Sequence, residues 1–409
     1  MDVREKLDLL GVAARFDDCR TSAPDVIAEG RGFFTSEPTT AADPRVLPCV
    51  SHLHTPDGQR KSTLKVLQTS ACQNNCNYCA FRSGRDVRRA HLPADDLARS
   101  FDLMYRAGLV ESLFLSSGVI GTHRTMDEML ATVELVRVKY GFRGYVHLKL
   151  LPGAEDAHIE RAVELADRVS VNLEAPTFET LAALAPLKRM DALVGPLRKA
   201  AQMICRGDPL RSPPPTGAGI RAGARPAPTM GHARIGMSTQ FVVGPAGESD
   251  RELLSTAQML YRELRLARAY YSAFTPVRDT PMEGEPPTDP QREFRLYQAD
   301  WLLRYYHFSA DELPFDSAGQ LRTDVDPKAA WAGAHPERFP VEVNAAPLDE
   351  LLRVPGVGPT SARAIFQALR GGKLAELGDL RKLGARADRA APYVTLAGRR
   401  PPYQPPLPF

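Results

Sequence analysis

A chain of 409 residues that is 43% hydrophobic and 25% charged has the composition of an ordinary globular protein, and more length than one average domain needs. It contains no apolar run of about eighteen residues, which excludes a spanning helix. The opening MDVREKLDLLGVAARFDD lacks the apolar core of a secretory signal, so a cytoplasmic protein without a membrane partner is expected. The net charge of +3 is uneven: residues 206–236 carry +4 and residues 344–409 carry +5. Such clustering suits contact with phosphate, although solubility and chance produce it too.

In chain order, residues 1–60 lack clear periodicity and read as an N-terminal extension. A core over 61–285 follows, with strands expected at 63–69, 112–116, 144–151, 168–174, 237–243 and 268–275. Helices are expected at 95–107, 125–140, 155–166, 178–204 and 249–264. Strand–helix alternation of this kind predicts an α/β fold, a partial (β/α)6 barrel of the TIM type. Residues 206–236 contain PPPTGAGIRAGARPAPT and read as a flexible insertion, a plain linker rather than a nucleic-acid clamp. Residues 286–340 read as a helical linking segment, 341–396 as a small all-α domain, and 397–409, ending RRPPYQPPLPF, as a disordered tail.

Three of the six cysteines fall together as Cys72-Gln-Asn-Asn-Cys76-Asn-Tyr-Cys79, whereas Cys19, Cys49 and Cys205 are scattered. In a reducing compartment such a cluster indicates metal rather than disulfides. Iron–sulfur clusters usually take four thiolates, so three leave one iron with the open position that catalysis uses. Zinc is the alternative; it would want a fourth ligand, for which His91 is badly spaced.

The CxxxCxxC spacing directly after a strand resembles the signature of the radical S-adenosylmethionine (SAM) superfamily. The resemblance implies one 4Fe–4S cluster on Cys72, Cys76 and Cys79 whose unique iron chelates the amino and carboxylate groups of SAM. An electron, usually from a flavodoxin or ferredoxin, then cleaves the sulfonium to give a 5′-deoxyadenosyl radical that takes hydrogen from the substrate. It also places Tyr78 near the adenine, Ser116, Ser117 and Gly118 at the SAM amino group in place of a GGE segment, and Gly244 at a backbone contact to adenine. Along the strands, Ser170, Asn172 and Glu174 share one face, Lys149 alternates with apolar neighbours, and Ser238 and Gln240 are similar candidates on the fifth expected strand. Buried polar residues need partners, which SAM would supply, although each serves equally as a satisfied core polar group. No residue is assigned as the catalytic hydrogen or proton carrier.

The stretch Leu351-Leu-Arg-Val-Pro-Gly-Val-Gly-Pro-Thr-Ser-Ala-Arg-Ala-Ile365 resembles a helix-hairpin-helix motif. Its glycines can take positive φ, and Pro359 suits the first position of a helix. Backbone N–H groups beside a helix N-terminus bind phosphate without reading bases. Gly356, Val357, Gly358 and Thr360, with Arg353 and Arg363, are therefore expected to bind DNA without sequence preference. A structural or protein-binding hairpin is the alternative.

With both motifs present, the chain resembles, from about Leu64 to Val394, a family of radical SAM proteins assigned to DNA modification or repair and associated with uracil-DNA glycosylase-like partners. The blocks that carry the resemblance are CQNNCNYC, LFLSSGVI, GYVHLKLLPGA, RVSVNLEAP, STQFVVG, YYSAFTPV, RLYQADWLLRYY, FPVEVNAA and LLRVPGVGPTSAR. It implies a radical SAM enzyme acting on a nucleotide in DNA. Two other readings stay open: a tRNA-modifying radical SAM enzyme, which YSAFTP suggests, and a DNA-binding protein with a structural or redox-sensing cluster.

Overall fold

The computed structural model describes residues 1–14, 47, 49–54, 60–207 and 236–403. The chain divides into two compact units at Tyr297/Gln298. Most of the expected insertion 206–236, and the end of the expected tail, lie outside the described residues.

The first unit is built on one sheet with strands in sequential order. β1 (Val50–His54) pairs antiparallel with β2 (Arg60–Leu67). β3 (Ser112–Ser116), β4 (Tyr145–Lys149), β5 (Arg168–Ser170), β6 (Gly236–Val243) and β7 (Arg268–Ala273) follow in parallel. The N-terminal extension is not featureless: it supplies β1 and the helix α1 (Val3–Ala14), with Leu10, Ala13 and Ala14 buried. α1 is hard to read in the sequence because its apolar stripe is short and interrupted by charge. The crossovers carry α2 (Ala94–Arg106), α3 (Thr122–Glu134), α4 (Asp156–Leu165), α5 (Phe178–Leu184), α6 (Met190–Gly207) and α7 (Asp250–Glu263). The six expected strands are therefore present, as β2 to β7.

Two further expectations are corrected. The strand expected over 168–174 stops at Ser170, and Glu174 takes φ 66°. Helix 178–204 is two helices, because Pro186 cannot continue α5 and the chain between them turns. Among the described residues no helix is long and apolar enough to cross a membrane.

Alternation sorts the strands into two faces. Leu64, Val66, Leu113, Leu115, Val146 and Leu148 are fully buried and form the apolar face. The other face holds Lys65, Phe114, His147, Lys149, Arg168 and Tyr270. That second face is concave. The Tyr270 hydroxyl of β7 accepts from Arg168 Nη1 of β5 at 3.3 Å, across β6. Tyr145 of β4 also feels the charge of Tyr270, although three strand spacings would separate them by about 14 Å in a flat sheet. The sheet is thus curled as a partial barrel with its polar face inside.

The division between the units falls within α8 (Pro290–Tyr305), so the second unit is described from Gln298. Its further helices α9 (Pro327–Ala334), α10 (Leu348–Arg353), α11 (Pro359–Ala368), α12 (Leu377–Lys382) and α13 (Ala387–Ala390) are joined by a small parallel pair, β8 (Val341–Glu342) and β9 (Val394–Thr395). The unit is therefore not all-α, and much of the expected linking segment 286–340 belongs to it. The strands are only two residues each, too short for a periodicity to register in the sequence.

Glu342 ties this unit together. Its carboxylate accepts from the backbone N–H of Asn344 (3.1 Å), Ala397 (3.2 Å) and Gly398 (2.8 Å), and from Asn344 Nδ2 (3.0 Å). Burial alone would raise its pKa, but these bonds outweigh it and hold the carboxyl down at about 2, against an ordinary 4.5. A depressed carboxylate stabilises the fold above its unfolded pKa and loses that contribution as pH falls through the folded one. Acid titration followed by circular dichroism should show this stabilisation fading between about pH 4.5 and 2. Glu342→Gln should lower stability at pH 7 and flatten the acid limb; an unchanged limb would remove Glu342 from this role.

Candidate active site and metal centre

The loop after β2 carries the three cysteines at the carboxyl ends of the parallel strands, where α/β barrels place their chemistry. Three arginines hold the loop in shape. Arg89 donates to the carbonyls of Ser70, Phe81 and Arg82 at 2.8 Å and of Arg85 at 3.0 Å. Arg85 Nη1 donates to the Ala80 carbonyl, and Arg82 Nη2 to that of Asn75. A loop this rich in carbonyls has few backbone partners of its own, and guanidinium forks supply the donors. Asn77 fastens it to the end of α5, through its N–H to the Leu184 carbonyl (2.7 Å) and its Nδ2 to that of Ala183 (2.8 Å).

Gly118 marks a close approach. Its N–H donates to the Thr69 carbonyl at 2.7 Å, and a Cβ there would stand 2.2 Å from the Ala71 carbonyl oxygen. The glycine is required by contact with the cysteine loop, which its assignment as a SAM contact did not anticipate.

Cys76 is buried, and Cys72 and Cys79 are half-buried. Burial pushes the Cys76 thiol up, and burial with the neighbouring Cys76 pushes Cys79 up to about 12. Beside them lies an ion pair that the sequence does not reveal: Lys188 Nζ to Glu174 Oε1 at 2.7 Å, with side chains 12% and 4% exposed. Burial opposes the Lys188 charge, but Glu174, Cys76 and Cys79 outweigh it and raise its pKa. Lys188 comes from the turn that Pro186 forces between α5 and α6; that proline was the available signal. Tyr78 abuts the same group, and burial followed by the Glu174 charge drives its phenol well above the ordinary value.

The remaining expected SAM contacts divide. Ser117 Oγ is buried without a hydrogen-bond partner, as is Ser238 Oγ on β6. Ser116 is buried at the end of β3, and Lys149 is half-buried at the end of β4. Asn172 Nδ2 donates to Gln240 Oε1 at 3.3 Å, so these two meet as expected of one site. Ser170 Oγ is engaged by His147 Nε2 at 2.8 Å. Gly244 N–H donates to Glu248 Oε1, which leaves its carbonyl for the expected adenine contact. Its φ is 116°, and a Cβ would meet Thr288 Oγ1 at 1.9 Å, which accounts for the glycine structurally.

In the second unit, α10 and α11 flank the tight turn expected of the Pro-Gly-Val-Gly segment. Gly356 has φ 87°, and a Cβ there would lie 2.6 Å from the Arg386 carbonyl oxygen. Val357 is 2% exposed; its N–H donates to the Val354 carbonyl, and its own carbonyl accepts from Lys328 Nζ at 2.6 Å. Gly358 N–H donates to Ser361 Oγ at 2.8 Å. The amides of Val357 and Gly358 are therefore committed inside the unit, correcting their expected role as free phosphate donors. Arg353 also has contacts within the unit. Its guanidinium lies 3.9 Å from the Phe308 ring and pairs with Glu312 at 2.9 Å, a structural anchor. Thr360 is exposed and Arg363 half-buried at the start of α11.

Residues 66–201 match the family model of the Radical SAM superfamily. No curated protein matches the chain. Among solved structures it is similar to HydG, a maturase of the [FeFe]-hydrogenase, at 13% identity and TM-score 0.43, covering 58% of this chain and 48% of that one. HydG from Carboxydothermus hydrogenoformans gives 14% identity, TM-score 0.42 and coverage of 58% and 51%. Methylornithine synthase (PylB) gives 14% identity, TM-score 0.43 and coverage of 58% and 60%. The chain thus spans about half the length of the HydG structures.

The cofactors of the matched domain are a 4Fe–4S cluster on three cysteines and SAM. The residues present fit them. Cys72, Cys76 and Cys79 stand together on one arginine-braced loop, with Cys76 buried and the other two half-buried, the thiol set that such a cluster takes. The partnerless Ser117 and Ser238 hydroxyls offer polar contacts to a second group.

Proposed function

We propose, from the premise that residues 66–201 form a radical SAM superfamily domain, that this protein reductively cleaves SAM and acts on DNA as a modifying or repairing enzyme. Cys72, Cys76 and Cys79 would hold the cluster, which when bound supplies the electron that opens the sulfonium. Lys188 supplies positive charge beside the thiolates, and Glu174 holds Lys188 in place. The hydroxyls of Ser117 and Ser238 and the amides of Asn172 and Gln240 are the polar groups offered to SAM. A flavodoxin or ferredoxin delivers the electron, and a uracil-DNA glycosylase-like protein is the proposed partner.

The observation that carries the DNA reading is the doubled helix–turn–helix arrangement of the second unit. α10 and α11 turn at Gly356, α12 and α13 turn near Gly384 (φ 82°), and Gly356 lets the two pairs touch. Arg370, Lys373, Arg381, Lys382, Arg386 and Arg389 are exposed on it. With the turn amides largely committed, affinity rests on these side chains and on the N-terminus of α11, which attract phosphate regardless of base.

Anaerobic incubation with SAM, reductant and a panel of duplex and single-stranded DNAs should yield 5′-deoxyadenosine together with an altered nucleoside, read by mass spectrometry. Replacing Arg370 and Lys373 by alanine should weaken DNA binding and reduce the slope of log K against log salt by about 0.9 for each phosphate no longer neutralised. DNA-independent turnover with unchanged nucleosides would overturn the reading, and preference for tRNA in competition would replace it with the RNA alternative.

A further inference from the structure

Away from the cysteine loop, the described residues hold one group of three side chains able to share an ion. His123, Glu155 and His158 each place a ligand atom within 4.8 Å of the other two. The fold brings them together from two helix starts. His123 stands in the first turn of α3, Glu155 is the N-cap of α4, and His158 lies three residues further on. Thr122 Oγ1 donates to the Pro152 carbonyl at 3.0 Å and fastens the start of α3 to the segment that leads into α4. These helices follow the neighbouring parallel strands β3 and β4. Gly121, just before α3, donates its N–H to Gln73 Oε1 of the cysteine loop at 2.9 Å.

The spacing is close to that of a coordination shell. A tetrahedral ion with ligands at about 2.1 Å sets neighbouring donors roughly 3.4 Å apart. His123 Nδ1 and Glu155 Oε2 already stand 3.3 Å apart, and both side chains are 60% exposed, free to turn toward an ion. His158 is 9% exposed and its tautomer is set by its neighbours. Its Nε2 faces Asp127 Oδ1 at 3.0 Å, and its Nδ1 accepts from the Glu155 N–H at 3.3 Å. Nε2 therefore carries the proton and Nδ1 the lone pair, the carboxylate–histidine arrangement that orients a metal ligand. Asp127 lies four residues after His123, on the same face of α3. A helix cap would account for Glu155 and His158, but not for the convergence of His123 and Asp127 on them. The positive ends of α3 and α4 oppose a cation, and the Glu155 and Asp127 carboxylates offset them.

We propose that His123, Glu155 and His158 form a second metal site, for a divalent transition ion of the zinc type, with Asp127 as a positioning residue. Glu155 Oε2, His158 Nδ1 and a ring nitrogen of His123 are the ligands, and water takes the fourth position. Two imidazoles and one carboxylate suit zinc over magnesium or calcium, which take oxygen ligands. The Glu155 N–H, at an exposed helix start, passes from His158 Nδ1 to water when the ion binds. The ion ties together the segments that follow β3 and β4, beside the support of the cysteine loop. The site requires neither SAM nor DNA and goes beyond the function proposed above.

The test dialyses the anaerobically reconstituted full-length protein, with its cluster in place, against zinc, followed by elemental analysis and zinc-edge X-ray absorption. About one zinc should bind beyond the iron, with nitrogen and oxygen at about 2.0–2.1 Å. His123→Ala and Glu155→Gln, both at exposed positions, should each weaken zinc binding at least about tenfold while iron content stays parental. Asp127→Asn should also weaken it about tenfold or more with the same ligand shell, which a purely structural role for Asp127 would not produce. Zinc should raise the melting temperature of the parent and not that of His123→Ala. Zinc held at the cysteines would add sulfur at about 2.3 Å that His123→Ala leaves in place. Zinc bound through sulfur alone, no zinc retained at micromolar free metal, or variants that retain it as the parent does would each overturn the inference. None of these readouts involves turnover, so failure to alter DNA leaves the inference standing.

Discussion

Cys76→Ala is expected to bring 5′-deoxyadenosine formation to background and to strip the chain of most of its iron. Cys76 is the most buried of the three cysteines, at 6% exposure, and it lies in the arginine-braced loop that also meets Gly118. Burial favours the protonated thiol, so a cluster must displace that proton to bind. Removing one of only three anchors leaves two iron corners without a protein ligand. The substitution is nearly isosteric, and its cost to folding should be about 1 kcal/mol. Iron content and visible absorption should therefore collapse while the melting curve stays close to that of the metal-free parent and DNA affinity to that of the parent. A variant that keeps parental iron and cleavage would remove Cys76 from the cluster, and a parent loaded with zinc would defeat the assignment.

Lys188→Met should be the most destabilising lysine substitution in the first unit. It leaves the Glu174 carboxylate, 4% exposed, without its counter-charge and next to the cysteine sulfurs. Breaking a buried pair from one side costs about 3–5 kcal/mol, because the remaining charge is desolvated and unmatched. The double variant Lys188→Met/Glu174→Gln should recover most of that loss, since neither charge is then buried alone. Urea unfolding of the metal-free chain measures both. Lys188→Met should also load less iron, because thiolate formation loses a neighbouring cation, and the double variant separates this effect from misfolding. A single variant within about 1 kcal/mol of the parent would mean that water or another group already compensates Glu174.

The cysteine spacing, the order of six parallel strands and the Pro-Gly-Val-Gly turn were all legible in the amino-acid sequence. Each is a local signal: three residues on one loop, a run of alternating apolar positions, a segment that only glycine and proline fit. The role of Lys188 was not legible. Its partner Glu174 is fourteen residues away, and they meet only because Pro186 splits what reads as one helix. Hydrogen-bond commitments were not legible for a related reason. Gly244, Val357 and Gly358 are of the residue types that a ligand site needs, but their amides donate to Glu248, Val354 and Ser361, contacts that only the folded chain makes.

The sequence by itself determined the chemistry available to this protein: three thiolates at cluster spacing after a strand, and a basic C-terminal segment with two turn glycines. Only the tertiary structure decided which polar groups remain available. Curling of the sheet brings Arg168 to Tyr270, 102 positions apart, on one concave face that also carries Lys65 and Lys149. Period-two patterning tells which residues share a face, but not whether that face is open to solvent, packed or folded in upon itself. That choice depends on the closure of the whole sheet, which no local segment encodes.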